Sequence, residues 1–406
     1  MRARVWCVAL LLSFVSAPAA AQIVLSESDA LARLSAESPR VRAVRAPIEI
    51  ARADVLAASR WPNPRVTFDR ESVAGVTEAI TMVAQALPIT GRRSFEKGAA
   101  TALLDAMTSR TDDEVRRARA DLRVAFAELQ AAQTRERDLA RARDRLQELA
   151  NILGRREADG DAPGFDRLRA EREVLDAEAD LAIAATDRAR AQANLTSFFA
   201  ASIDPLTLVA ADAPMARPNV PPLDALVERA ETARGELAAF RHEIEAARFS
   251  LLAVDRRLIP EPEIIAGTKS SSLRGGTVGS VITVQASVPL FDRARPERAL
   301  AQARAAQAEA RAAAFRITLR SQVAALRTVA VERRATADRY RAAAVSGADE
   351  IVRIAQVSYE AGERGILELL DAYRVGTAAR VRQAALDGAA RQAEVELEFV
   401  SGWEIP

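Results

Sequence analysis

The chain runs through one order of segments twice. Ile48-Glu49-Ile50-Ala51-Arg52 leads to Trp61-Pro62-Asn63-Pro64, a strand-like stretch, Val83-Ala84-Gln85-Ala86-Leu87-Pro88 and a long Ala/Arg-rich segment. Ile244-Glu245-Ala246-Ala247-Arg248 leads in the same way to Pro260-Glu261-Pro262, more strand-like sequence, Val284-Gln285-Ala286-Ser287-Val288-Pro289 and a second Ala/Arg-rich segment. Ile48 and Ile244, like Pro64 and Pro260, are separated by 196 residues, and Pro88 and Pro289 by 201. An offset that holds over such a length marks a duplicated unit. Each unit reads as a helix, a β-hairpin and a much longer helix. Ordinary enzyme domains are not built in that order.

Residues 1–21 read as a secretory signal peptide. Arg2 and Arg4 precede an apolar run from Val5 to Val15, and Ala19-Ala20-Ala21 places small residues before Gln22. The alternative, an N-terminal anchor, is opposed by the run's length, which is too short to span a bilayer. The one cysteine, Cys7, lies inside this run, so a mature chain starting near Gln22 has neither thiol nor disulfide. No later run is apolar enough for a spanning helix, and any crossing of a membrane must be made as a β-barrel. Charge is high but balanced, with 57 Lys+Arg against 56 Asp+Glu. That suits solvated helix faces with ion pairs at helical spacing, and it offers nucleic acid no net basic face. One histidine, His242, cannot assemble a soft-metal site within the chain, and no cofactor is expected. There is no nucleophile–base constellation and no phosphate loop, so the chain does not read as an enzyme.

The first repeat is expected to occupy residues 22–203. It should open with a helix from Ser26 to Arg60, kinked or delayed at Pro39 and Pro47. Strands follow within about 63–88. Val66 and Phe68, then Ile80, Met82, Ala84 and Ala86, alternate with polar residues, and Gly75 marks the turn. A proline-free helix from Ser94 to Leu153 would be about 90 Å long. Val115, Leu122 and Leu129, with Ala118, Ala125, Ala132, Leu139, Leu146 and Leu153, give it an a/d seam and hence coiled-coil packing. A break at 154–165, with Gly160 and Gly164, turns the chain back into a helix ending near Phe199. Residues 204–222 include Pro205, Pro214, Pro218, Pro221 and Pro222, and read as a surface linker without regular structure.

The second repeat, 223–406, should carry one helix to Leu258 and strands within about 260–289. A helix from Ala294 to Tyr359 would place Phe315, Leu319, Gln322, Leu326 and Val329 on its seam. A tip at 360–366 around Gly362 and Gly365 precedes a last helix from Ile366 to Gly402. Ile282, Val284, Ala286 and Val288 face one way and Thr283, Gln285 and Ser287 the other. Such a strand fits a barrel wall between lipid and water, and equally a half-buried strand of a soluble sheet. Four strands between such long helices have no further partners in the chain and cannot stand alone. They are long enough to cross an outer membrane, but too few to close a barrel, and open edges are not tolerated in lipid. Three copies would give a twelve-stranded wall continuing into a helical tube, with both helix turns at the far, periplasmic end. Trp61 and Phe291, flanking strands, would sit in an interfacial aromatic belt. A soluble periplasmic coiled-coil adaptor or scaffold is the competing class. It normally carries one helical hairpin, where this chain has two.

Three stretches carry a family resemblance: Gln85-Ala86-Leu87-Pro88-Ile89-Thr90-Gly91-Arg92-Arg93, Val288-Pro289-Leu290-Phe291-Asp292-Arg293, and, most specific, Tyr359-Glu360-Ala361-Gly362-Glu363-Arg364-Gly365-Ile366-Leu367-Glu368-Leu369-Leu370-Asp371-Ala372. Over essentially the whole mature chain the sequence resembles the TolC-type outer membrane efflux factors, and among them the CzcC type of heavy-metal efflux. The resemblance implies a mainly α homotrimer with a twelve-stranded barrel in the outer membrane of a Gram-negative cell and a periplasmic coiled-coil tunnel. It also implies docking, through the tips at Gly160, Gly164, Gly362 and Gly365, to a periplasmic adaptor (membrane fusion protein) and an inner-membrane RND-type pump. Glu368 and Asp371 fall on the positions that form carboxylate rings at the tunnel's constriction. Tyr359 and Arg364 fall on positions that restrain the closed mouth. The first tip, with Asp166-Arg167-Leu168, has no matching acidic pair. The same duct could serve drugs, solvents or protein export, so a metal substrate follows from the resemblance alone.

Overall fold

A computed structural model describes residues 22–34, 38–160, 163–199, 203–212 and 219–404. The expected leader with Cys7, Asp161 and Ala162 of the first tip, and Pro214 and Pro218 of the expected linker lie outside these residues. The elements run β1 (Ile23–Leu25), α1 (Glu27–Arg33), α2 (Pro39–Ser59), β2 (Arg65–Val73), β3 (Val76–Ala86), α3 (Arg92–Ala158), α4 (Gly164–Thr196) and β4 (Leu208–Ala210). Then come α5 (Leu223–Ala233), α6 (Gly235–Arg256), β5 (Pro262–Ser271), β6 (Thr277–Ala286), α7 (Arg295–Tyr340), α8 (Ser346–Glu360) and α9 (Ile366–Ser401). Helix, hairpin and long helical hairpin thus appear twice.

Local chemistry sets the boundaries. Ser26 and Asp29 form a reciprocal capping box at the start of α1, and Ser38 caps α2 with Pro39 at its first turn. The expected continuous helix over 26–60 is therefore two helices, with Pro39 opening the second and Pro47 carried inside it. Trp61-Pro62-Asn63-Pro64 stops α2 as expected. β2 and β3 meet in a two-residue turn, Ala74-Gly75, with both φ values positive at 50° and 81°, the geometry that suits a tight hairpin. α3 runs 67 residues, roughly 100 Å. Gly154 does not break it, because one glycine in a helix interior costs only about 1 kcal/mol. The chain turns instead just after Ala158.

Four other expectations fail for identifiable reasons. The 204–222 segment is not featureless surface. Asp204 caps a 3₁₀ turn over Pro205–Thr207, and β4 then pairs in parallel with β1, with Leu208 and Ala210 buried. The helix expected over 223–258 breaks at Arg234, whose backbone is extended. A side chain at Gly235 would collide with the Ser109 carbonyl, so α6 starts in close contact with α3. The helix expected over 294–359 contains a π-helical turn, Arg341–Val345. Its seam also differs, because Gln322 and Val329 are exposed. Buried or half-buried positions recur instead at Ala308, Leu319 and Ala330, at Ala312 and Val323, and at Phe315, Leu326 and Ala337. That is an eleven-residue spacing, 3.67 residues per turn, which lacks the left-handed winding of a heptad seam. The heptad on α3 holds, with Leu122, Leu129, Leu139, Leu146 and Leu153 all buried.

α3 is the spine and packs against α2, α4, α6 and α9. Three apolar clusters follow along the molecule. The first joins β1 and β4 to α3 and α4 through Leu25, Leu122, Phe126, Leu195 and Leu208. The second joins α5, α6, α7 and α9 through Leu226, Phe240, Leu319, Val323 and Leu397, and Trp403 folds onto it. The third lies near the tips, with Leu149, Leu153, Val174, Ile366 and Leu369. Each buried Leu or Phe in these clusters contributes about 1.5–3 kcal/mol over exposure.

Ion pairs secure the helices between the clusters. The Arg234 guanidinium bonds Asp113 at 2.9 Å and lies 5.4 and 4.9 Å from the Phe315 and Phe399 ring centroids. Glu27 on α1 accepts from Arg123 on α3 and from Arg391 on α9. Burial would raise the Glu27 carboxyl above the usual range, but these two arginines outweigh it and hold it below.

Candidate functional site

The four longer strands form one antiparallel sheet in the order β2-β3-β5-β6. The hairpin of each half contributes two strands, and β3–β5 joins the halves. β2 and β6 are the two edges, and neither has a further partner among the described residues. Residues paired across strands share a face. Following the register, one face carries Val66, Phe68, Val83, Ile264, Val278, Ile282 and Val284, all exposed, the last three among the barest apolar side chains of the chain. Arg65, Asp69, Glu71, Glu78, Glu263 and Lys269 all fall on the other face. There Arg65 pairs with Glu263, and Lys269 with Glu78, each at 2.7 Å. Such segregation is what a wall with lipid on one side and water on the other requires. The alternating residues Ile80, Met82 and Ala84 of β3 lie with the charged residues, while Val83 points to the apolar side. Strand alternation alone does not reveal which face is lipid.

At the end of the sheet nearest the helices, Trp61 is exposed and Arg93 stacks 5.0 Å from its ring. Phe291, 98% exposed, stands at the same end of the second hairpin.

The other end of the molecule is built by the helix turns. Past α8, the Gly362 amide donates to Tyr359 O at 3.0 Å and the Glu363 amide to Ser358 O at 2.9 Å. This is a Schellman cap, and its left-handed position, φ 75°, is Gly362. Gly160 plays the same part after α3, with φ 85°. Gly365 is different. At φ −84° it is merely the extended residue before α9, so its conformation does not demand glycine. A side chain at Gly164 would meet only the carboxylate end of Glu157, which Arg167 holds at 2.5 Å and which can turn aside, so space does not demand glycine there either.

Glu368 and Asp371 lie on the first two turns of α9, both exposed. Their helix face is opposite Ile366, Leu369, Leu370 and Ala372, which bury into the tip cluster. The spacing of three keeps the two carboxylates together. Tyr359 is half-buried against that cluster, with Arg156 5.9 Å from its ring. Arg364 is exposed and makes no ion pair within the chain among the described residues. The contact that ties the second helical hairpin to the first here is one the sequence did not suggest. Arg374 on α9 forms a two-pronged pair with Glu173 on α4, Nε to Oε2 at 2.8 Å. Beside it, burial pushes the Tyr373 phenol up. Among the described residues no group of three or more His, Cys, Asp or Glu could hold a metal ion.

A half-apolar sheet with open edges, joined to antiparallel helices of this length, is the fold of an outer-membrane channel subunit. A membrane protein from Pseudomonas aeruginosa matches it with TM-score 0.76 and 20% identity, over 93% of each chain. The CmeC outer membrane channel of Campylobacter jejuni matches with TM-score 0.77 and 12% identity, over 93% of this chain and 85% of that one. The outer membrane protein VceC of Vibrio cholerae matches with TM-score 0.73 and 16% identity, over 93% and 96%. In sequence, residues 226–402 match the outer membrane efflux protein family, so the second repeat is of that family and the whole chain has the fold of its channels. The cobalt-zinc-cadmium resistance protein CzcC of Cupriavidus metallidurans is 29% identical over 255 residues, which is 62% of this chain and 60% of CzcC. Family and fold place the chain among outer membrane channel proteins rather than enzymes.

Proposed function

We propose that the chain is the outer-membrane exit duct of a tripartite efflux system, working as a homotrimer. Repeats 22–203 and 223–406, joined by 204–222, would each give two strands and one helical hairpin to the tube. The observation that carries this reading is the sheet, with one apolar exposed face and two unpaired edges. β6 of one protomer can pair with β2 of the next, and three copies remove every edge. The tips would dock a periplasmic adaptor, itself joined to an inner-membrane RND-type pump. Metal cations are the proposed cargo, supported by the likeness to CzcC and by the acidic tip. The duct is passive and leaves substrate choice to the pump.

The test is the protein mass of the particle extracted by detergent from outer membranes. A mass of three mature chains is expected. A monomer released without detergent would overturn the duct and favour a soluble scaffold.

In this reading Glu368 and Asp371 line the periplasmic mouth, and threefold symmetry gathers six carboxylates about the axis. Tyr359 and Arg364 restrain the closed mouth, and Arg374–Glu173 ties the second hairpin to the first within each protomer. Arg374→Ala should therefore raise the open fraction in planar-bilayer recordings several-fold, with barrel conductance unchanged. The pair is partly exposed and worth about 1 kcal/mol, or roughly fivefold in an opening equilibrium. Closed-state dwell times equal to wild type would remove this pair from gating.

A further inference from the structure

One residue breaks the segregation of the sheet. Arg70 shares its face with Phe68, Val83, Ile282 and Val284, and no other charged residue of the four strands lies there. It sits near the helix-distal end, paired in register with Ala79. It is exposed and has no partner among the described residues. Its strand neighbours Asp69 and Glu71 point to the opposite face. β2 is an edge, and its proposed neighbour β6, Thr-Val-Gly-Ser-Val-Ile-Thr-Val-Gln-Ala, contains no carboxylate that could meet Arg70 across the protomer boundary. Arg274, in the loop between β5 and β6, is exposed too, but it borders the same hollow as Glu78 and Lys269, on the charged face. The loop Ser272-Leu273-Arg274-Gly275-Gly276 and the turn Ala74-Gly75 hold no acid either. The apolar belt thus ends, on the side away from the helices, in one cation with no carboxylate on its face.

An uncompensated guanidinium at the edge of a hydrocarbon layer is stable only where its head reaches water or an anion. Its planar fork fits phosphate oxygens. Resting on the duct reading above, which puts this end at the outer leaflet, we propose that Arg70 binds the phosphate of a phosphorylated lipid headgroup there. Phe68 and Ile282 would support its acyl chains. The partner is a lipid of the surrounding leaflet, held at the seam where β2 meets the next protomer, and not a solute of the lumen.

The test is native mass spectrometry of the purified full-length trimer, incubated with a phosphorylated glycolipid and with the same glycolipid after phosphatase treatment. Wild type should retain the phosphorylated form preferentially. Arg70→Gln should lower that preference about fivefold, Arg70→Lys should keep part of it, and Arg274→Gln, on the other face, should leave it unchanged. Equal retention of both lipids by wild type would overturn the proposal even if a variant fails to assemble. So would a preference left unchanged in Arg70→Gln. In either case an intact detergent-dependent trimer leaves the duct reading standing. A soluble monomer would sink both.

Discussion

Glu394→Ala should destabilise the protein by about 3–5 kcal/mol, the usual result of removing one member of a buried ion pair. The Glu394 side chain is only 2% exposed, and Arg334, 12% exposed, donates to it from α7 at 2.7 Å. Arg391 stands 3.8 Å away on the same helix. Truncation would take from the Arg334 guanidinium the carboxylate to which it donates, while Arg391 keeps its bonds to Glu27. The measurement is thermal unfolding of the detergent-solubilised protein by far-UV circular dichroism at one scan rate. A midpoint within about 1 °C of wild type would mean the pair contributes nothing. Glu394→Gln, which keeps an acceptor, should fall between. Arg334→Met combined with Glu394→Leu should recover most of the loss, because apolar replacements of similar volume escape the desolvation cost that the ion pair bears.

The second large effect is on ion selectivity. Glu368→Ala with Asp371→Ala should lower the cation-over-anion permeability of the channel at least fivefold. A cation about 5 Å from one carboxylate gains about 0.8 kcal/mol even at the dielectric of bulk water, and the proposed ring holds several. The readout is the reversal potential in planar bilayers under a salt gradient, which should move toward zero. An unchanged potential would take both residues out of the constriction. Raising the salt should weaken the wild-type preference more than the smaller residual preference of the double variant.

The sequence exposed what is periodic and long. The duplication, the four barrel-length strands, the α3 heptads and the second tip were legible because each repeats a pattern or carries a dense motif. The features it hid are short or relational. β1 and β4 are three residues each, too short for alternation to register, and they meet only because α1 and α4 bring them together. The eleven-residue seam of α7 resembles a heptad over two turns and diverges only afterwards, at Gln322 and Val329. The Arg374–Glu173 pair was lost among many arginines and carboxylates on helical faces, where nothing local distinguishes a cross-hairpin partner from a solvated charge. Ile80 and Met82 alternate as lipid-facing residues would, yet the pairing of β3 with β5 turns them inward.

That same pairing has a kinetic consequence. The register between β3 and β5 sets Ile80 opposite Lys269 and Ala84 opposite Ile265. The sheet therefore cannot begin to form as a unit until the second hairpin, which ends at Ala286, has been synthesised and exported. The half-sheet that results still has two sticky rims, and each is satisfied only by another finished chain. In the proposed homotrimer, entry into the bilayer thus becomes a three-body event, with a rate that climbs steeply with protomer concentration. A cell making few copies would hold them as waiting monomers, exposed to proteases and chaperones, and a modest rise in expression would convert them abruptly into channels.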